Sequence, residues 1–305
     1  MSRLARPSGL PARCVMAAFA AIVAAAALFA GSGVASEPVV LAGPAMGTTY
    51  RVTLAAAVPG RSRGDVHREL EAVLARIDRG ASSWRPDSDV SRFNRAAAGE
   101  WVEVGDDLSA ILSIAREVHA ETAGAFDPTV GPLVALWRQA SERRKPPQPD
   151  ALAAAAELVG LSLIEHRQPP AGSAALRKRK PGVALDLGGI GPGYAVDCLG
   201  ERLVELGSPD HLVVLGGEAR AWGRQASGER WQVIVPQTAG AAPATLPLSP
   251  GEAIAFATPR PGRSPIDPRT GQPVAAEPRP VMVRSTSCSR ADALAVAAAV
   301  DAQPQ

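Results

Sequence analysis

Few of the residues that commonly build catalytic and metal centres are present here. The 305 residues include 4 histidines and 3 cysteines. His67, His119, His166 and His211 are scattered, and no Cys/His cluster has the spacing of a zinc site. A histidine-based metal centre or triad is therefore poorly supported. Charge of one sign is also lacking, since the formal net charge is only +2. That leaves no electrostatic footprint for nucleic acid. The glycine-rich stretch 188–193 has neither the Gly-Lys-Ser/Thr of a P-loop nor the G-x-G-x-x-G of a dinucleotide fold. No repeat of solenoid period occurs.

What is present begins with a leader. Arg3, Arg6 and Arg13 precede an Ala-rich apolar run from Val15 to Ala30, followed by the small residues Gly31 to Ser36. This is the layout of a secretory signal, with cleavage expected near Ala35 or Ser36. The run is short for a membrane span, which needs about 20 apolar residues. A retained N-terminal anchor is the alternative, and it would be the only membrane contact. No paired arginine precedes the run, which favours the general secretory route. Cys14 lies before it, whereas a lipoprotein cysteine would follow. Loss of the three leader arginines takes the formal charge from +2 to −1. Cys198 and Cys288 remain; an oxidising compartment would permit a disulfide, but buried free thiols are expected.

The body, residues 37–305, reads as one α+β domain of mixed sheets and packed helices. Strands are expected at 39–41, 48–54, 183–187, 211–215, 231–236 and 281–283 from apolar alternation. Helices are expected at 65–79, 106–121, 151–158, 194–206 and 289–300 from apolar spacing and stop signals. The stretch 82–89 reads as turns, SERRKPPQPD (141–150) as a charged surface loop, and Arg177-Lys178-Arg179-Lys180 as a solvated loop.

The strongest local signal is the predicted strand 183–187 running into Gly188-Gly189-Ile190-Gly191-Pro192-Gly193 and a helix. Glycines allow close backbone approach, and a helix N-terminus favours a phosphate. A tight strand-to-helix turn explains the glycines equally well. Asp292 near the start of the last helix is a candidate ligand for a hard cation, or simply an acid placed well in a helix dipole. Asp127-Pro128 and Asp267-Pro268 read as turn initiators. Trp84 and Tyr194 are candidate stacking aromatics, or core.

Seven ordered blocks carry a resemblance across the body: AMGTTY (45–50), SSWRPDSDVSRFN (82–94), TAGAFDPTVGPLVALW (122–137), ALDLGGIGPGYAVD (184–197), VVLGGEARAWG (213–223), IDPRTGQPV (266–274) and ADALA (291–295). In these the chain resembles the FAD:protein FMN transferases of the ApbE family. The resemblance implies a periplasmic, magnesium-dependent enzyme that uses FAD as substrate. It would move FMN onto a Thr or Ser hydroxyl of an acceptor flavoprotein and release AMP. It assigns Met46, Trp84, Ala125, Phe126, Asp127, Gly188, Tyr194 and Ile266 to flavin-nucleotide contacts, and the Gly191 carbonyl and Asp292 to magnesium.

The blocks also depart from the family pattern. Val296 stands where relatives carry a metal-binding threonine. Ser264 stands where they commonly have a histidine, so no catalytic base is assigned. Pro192 replaces a Lys or Glu and lacks an N–H. The segment Ala257 to Gly262 looks shortened, and the domain reads as short at its C-terminus. Two function classes follow: an FMN transferase, or a flavin-nucleotide binder that keeps the fold without turnover.

Overall fold

The computed structural model describes residues 38–169, 172–235, 244–259, 264–275 and 280–302. The leader at 1–36 and Arg260 to Gly262 of the shortened segment lie outside these residues.

The first hairpin, β1 (Val39–Ala45) and β2 (Thr48–Leu54), closes on Met46 and Gly47, whose φ values of 48° and 74° are those of a tight two-residue turn. Helix α1 (Arg63–Ala81) opens on a capping box between Ser62 and Asp65 and buries Val66, Leu70, Val73, Leu74 and Ile77. Next come α2 (Asp89–Arg95), β3 (Val102–Val104), α3 (Asp106–Glu121), α4 (Gly131–Arg143), α5 (Pro149–Ala156), β4 (Ile164–Arg167) and β5 (Ala174–Lys178). The chain then forms α6 (Gly191–Glu205), β6 (His211–Leu215), β7 (Glu218–Trp222), β8 (Trp231–Val235), β9 (Ala244–Leu248), β10 (Ala253–Ala257), β11 (Val281–Ser285) and α7 (Cys288–Asp301).

An antiparallel six-stranded sheet in the order β1-β2-β6-β7-β10-β11 organises the molecule. Strand alternation sends Val213, Leu215, Ala253 and Ala255 to one face, against α1, α6 and α7. Leu212, Val214 and Ile254 point to the other, where the β8–β9 hairpin covers them with Trp231, Val233 and Leu248. A second core gathers α2, α3, the residues before α6 and the small sheet β3-β5-β4. Helix α7 lies between the two cores. Its Ala291, Ala295 and Ala299 face the large sheet, and Ala293, Ala297 and Val300 face the second core. A helix buried on both sides needs small residues, which accounts for its alanines.

The α+β reading holds, and Cys198 and Cys288 are free thiols, Cys288 fully buried. Several local readings are corrected. Residues 183–187 enter no ladder beyond one bridge between Ala184 and Val130. Their backbone is satisfied instead by the Asn94 side chain, which bonds both the N–H and C=O of Leu185, and by Pro128. Helix α6 starts at Gly191, three residues early, so two of the glycines belong to its first turn. The proposed solvated loop at 177–180 is half strand. Lys178 is 1% exposed, with Nζ donating to the carbonyls of Asn94 and Val183. Arg177 lies over Trp101 and pairs with Glu165. The loop at 141–150 is shortened at both ends by α4 and α5. Among the described residues, no helix is long and apolar enough to cross a membrane.

His211 gives this frame a pH dependence. It is fully buried, stacked on Trp222 at 4.7 Å, with Nδ1 2.7 Å from the Ser208 carbonyl. Burial lowers its pKa to about 4. A depressed histidine pKa means the fold favours the neutral ring. Its contribution is intact above the unfolded value near 6.5 and drains away as pH falls towards 4, by as much as about 3 kcal/mol. Urea unfolding at pH 7 and pH 4.5 is expected to show this loss in the wild type and a much smaller one in His211→Phe. Equal losses in both proteins would assign the acid sensitivity elsewhere.

Candidate functional site

The site is assembled where the start of α6 lies against α7. The Gly193 N–H donates to Asp292 Oδ2 at 3.1 Å. A Cβ at Gly193 would stand 2.4 Å from the Cys288 carbonyl oxygen and 2.8 Å from Asp292 Cβ, so only glycine permits this approach. Further along, Gly189 faces Val296, whose Cγ2 lies 2.7 Å from the position of a Gly189 Cβ, with the Phe126 ring at 3.6 Å. The glycines therefore serve helix packing at two points.

They do not leave the end of α6 free for a phosphate. The Gly191 N–H bonds the Leu187 carbonyl, Pro192 has none, and the Gly193 N–H is taken by Asp292. The alternative of a tight, packed turn is the better account of this stretch. Gly188 N–H bonds Asp186 Oδ1. Gly191 is the first residue of α6, and the space where its Cβ would stand holds no atom within 4 Å.

Asp292 is buried, and so is Glu218 at the start of β7. Burial drives the Asp292 pKa up to about 7 against the help of the Gly193 amide. Burial, then the nearby Asp292 charge, pushes Glu218 well above the carboxylate range. Among the described residues no cationic side chain offsets either acid. Two buried carboxylates without a cation suit a hard divalent ion, for which oxygen ligands are the preferred donors. Sequence reading missed Glu218, although it stands in the VVLGGEARAWG block. The signal was there: an acid directly after Gly216-Gly217, on the inward parity of a strand. Its Oε2 accepts the Gly217 N–H at 3.1 Å and lies 3.3 Å from the position of a Gly216 Cβ, where Thr48 of the first hairpin also comes close. The hairpin whose turn carries Met46 thereby comes close to Glu218.

The remaining residues fall into two groups. Ala125, Phe126 and Asp127 are buried between α3 and α4. Asp127 Oδ1 accepts from the Thr129 amide and hydroxyl, and His119 Nδ1 lies 2.9 Å from the Phe126 carbonyl and 3.4 Å from Asp127 Oδ2. Asp127 and His119 line a cavity of about 390 Å³ with Gly160, Pro268 and Arg269. That cavity joins the AFD loop to the loop of Ile266, which is buried and bridged to Pro273. Arg269 ties the same loop to α7 through Asp301 at 2.9 Å. Ser264 is half-buried just before this loop.

The two aromatics separate. Tyr194 packs against both cores and donates its hydroxyl to Asp107 Oδ1 at 3.0 Å, so its role includes joining α6 to α3. Trp84 is 81% exposed, with the Arg138 guanidinium 5.6 Å above its ring. An indole left in water is not core, and it remains available to stack on a planar ligand.

These features define an α+β domain with a buried acid pair, one acid on α7 and one on β7, whose oxygen donors suit a divalent cation. The chain belongs to the ApbE family, whose profile matches residues 46–304. It is 35% identical to an FAD:protein FMN transferase of Haemophilus influenzae over 207 residues, 66% of this chain and 59% of that protein. A Vibrio cholerae FAD:protein FMN transferase is 30% identical over 88% of this chain and 83% of its own length. Among solved structures, the flavin transferase ApbE of Vibrio cholerae superposes with a TM-score of 0.76 at 28% identity, covering 87% of each chain. The flavinyl transferase ApbE of Pseudomonas stutzeri, in its apo form, gives 0.76 at 30%, covering 87% and 84%. The chain thus spans less than two thirds of the Haemophilus relative and most of the Vibrio one.

Proposed function

We propose that this protein is a magnesium-dependent FAD:protein FMN transferase, acting on a periplasmic acceptor. The observation that carries the reading is the buried Asp292, fixed by the Gly193 amide beside a second uncompensated acid. Asp292 and the Gly191 carbonyl would hold magnesium, with Glu218 close by. The ion, when bound, would neutralise pyrophosphate charge and make the attacked phosphorus more electrophilic.

The chain's own residues would position the substrate. Trp84 offers an exposed face to a ring. Met46, Ala125, Phe126, Asp127, Gly188, Tyr194 and Ile266 would shape the rest of the flavin-nucleotide site. In the transfer, an acceptor Thr or Ser oxygen forms a bond to the FMN phosphorus as the bond to the bridging oxygen breaks. AMP leaves with that oxygen, and the hydroxyl proton is released. Holding donor and acceptor in line is the main service such a site performs. Ser264 is not assigned as the base, since a serine hydroxyl does not take up a proton near neutral pH.

Val296 and Ser264 favour a second reading, a flavin-nucleotide binder without turnover. One experiment separates the two. The purified chain is mixed with FAD, magnesium and an acceptor domain that an active relative labels, and covalent flavin fluorescence is read on a denaturing gel. A magnesium-dependent fluorescent band is the expected result. A dark acceptor, beside one labelled by the relative, leaves the binder. The leader agrees with export, and a periplasmic location is proposed on that basis.

The Val296 position supplies a further test. Thr is close to Val in shape but replaces a methyl with a hydroxyl, and Val296 is half-buried against Gly189. Val296→Thr is expected to lower the magnesium concentration needed for half-maximal AMP release by several-fold, roughly 1 kcal/mol of binding. An unchanged magnesium requirement would show that position 296 does not face the ion.

A further inference from the structure

We infer that Asp197 is a positioning residue that sets the register of α7 against α6 and thereby holds Asp292 at the cation site. The inference rests on the magnesium reading above. Asp197 lies one turn after Gly193 on α6 and is buried. Its carboxylate accepts from five donors. Oδ1 takes Arg220 Nη1 at 2.7 Å and the Cys288 N–H at 2.9 Å. Oδ2 takes the Ser289 N–H at 2.9 Å, the Ser289 hydroxyl at 2.9 Å and the Ser287 hydroxyl at 3.0 Å. The amides of Cys288 and Ser289 are the first two of α7, which have no partner within their own helix. A carboxylate there is favoured by hydrogen bonding and by the positive end of the helix.

The contacts of α6 and the turn leading into it with α7 recur at one-turn intervals. Asp197 meets Cys288 and Ser289, Gly193 meets Asp292, and Gly189 meets Val296. Falling numbers on α6 match rising numbers on α7, so the helices run antiparallel in a single register. Gly193 and Asp292 make their hydrogen bond only in that register. A slip of one residue along α7 would turn Asp292 by about 100° around the helix axis, since 3.6 residues make a turn. Of the three contacts, Asp197 is the one that accepts from the first two amides of α7. Arg220 anchors the carboxylate from β7, the strand that also carries Glu218. One side chain thus ties together the three elements that present the acid pair. Ligand-orienting partners of this kind typically govern metal affinity by about 10–100-fold.

The test uses the full chain as wild type, Asp197→Asn and Asp292→Ala. Mn²⁺, standing in for magnesium, is titrated in, and the unbound ion is counted by its EPR signal well below each protein's Tm. Asp197→Asn keeps the shape but turns one acceptor into a donor facing the α7 amides. It is expected to fold, to raise the Mn²⁺ Kd about tenfold or more, and to speed amide exchange at Gly193 in the metal-free protein. A role in stability alone would lower Tm and leave the Kd of the folded protein unchanged; that result overturns the proposal. If wild type and Asp292→Ala bind Mn²⁺ equally, the magnesium reading itself falls, and the proposal with it. Should Asp197→Asn fail to fold, Ser289→Ala removes a single donor and keeps the acid. It is then expected to weaken Mn²⁺ several-fold, and wild-type affinity in that variant would overturn the register role.

Discussion

Gly193→Ala is expected to unseat α7 and remove the proposed cation site together with much of the protein's stability. The added methyl would stand 2.4 Å from a backbone carbonyl oxygen, 2.7 Å from its carbon and 2.8 Å from Asp292 Cβ. None of these is the movable end of a side chain. Relief requires the two helices to part, and α7 is packed on both faces by separate cores. Overpacking of this kind typically costs about 1–3 kcal/mol where side chains can adjust, so the upper end or beyond applies here. For a domain of this size that corresponds to a Tm loss of about 5 °C or more. The same movement stretches the Gly193–Asp292 hydrogen bond and, under the proposed function, should abolish magnesium-dependent AMP release. Gly191→Ala is the control, since its Cβ meets nothing within 4 Å at the first position of a helix. It is expected to keep wild-type stability within about 0.5 kcal/mol. Thermal melts of the two variants side by side decide the matter. Equal Tm values would mean that α6 and α7 do not pack as described.

The second large effect belongs to Asp292, and it has opposite signs for stability and for activity. The carboxyl's pKa is raised to about 7 by burial, so the fold prefers the proton. Stability from this group is complete below the unfolded value near 3.9 and is lost as pH climbs towards 7. Shared with Glu218, the penalty is about 2–4 kcal/mol by pH 8 in the absence of divalent cations. Asp292→Asn keeps an oxygen for the Gly193 N–H and removes the charge. The variant is therefore expected to be more stable than wild type at pH 8 by that amount, and nearly equal to it at pH 4. Magnesium should raise the Tm of the wild type and not of the variant, because a ligand stabilises only the state that binds it. Magnesium-dependent turnover should vanish in the variant. Urea unfolding at the two pH values, with and without magnesium, checks all of these. A variant no more stable than wild type at pH 8 would show that the buried charge is compensated, and the cation argument would fail with it.

Much of the molecule was legible in its residues. The α+β class, α3 over 106–121, the strand 48–54 and most of α1 follow from apolar spacing, which is local in origin, whereas β1 runs on to Ala45, past the expected 39–41. The ordered blocks identified the family and pointed to Asp292. Short range also marks where reading failed. Residues 183–187 alternate like a strand, yet Leu185 and Asp186 at their centre bond to Asn94 and Pro128, far away in the chain. Lys178 sits in a run of four basic residues, and its burial is explained by the carbonyls of Asn94 and Val183 and by the Phe93 ring 4.9 Å from its Nζ.

Apolar spacing could establish helices such as α1 and α3 and strands such as β2 and β6, because those choices depend on neighbours one to four residues away. It could not establish that the glycines of 188–193 serve α7 rather than a phosphate. Nor could it show that Glu218 shares a buried space with Asp292, or that Asp197 receives the first amides of a helix about 90 residues onward. Each of these is a contact between elements remote in sequence. Their energies come from desolvation and from donors that exist only once the sheet has brought α6, α7 and β7 together.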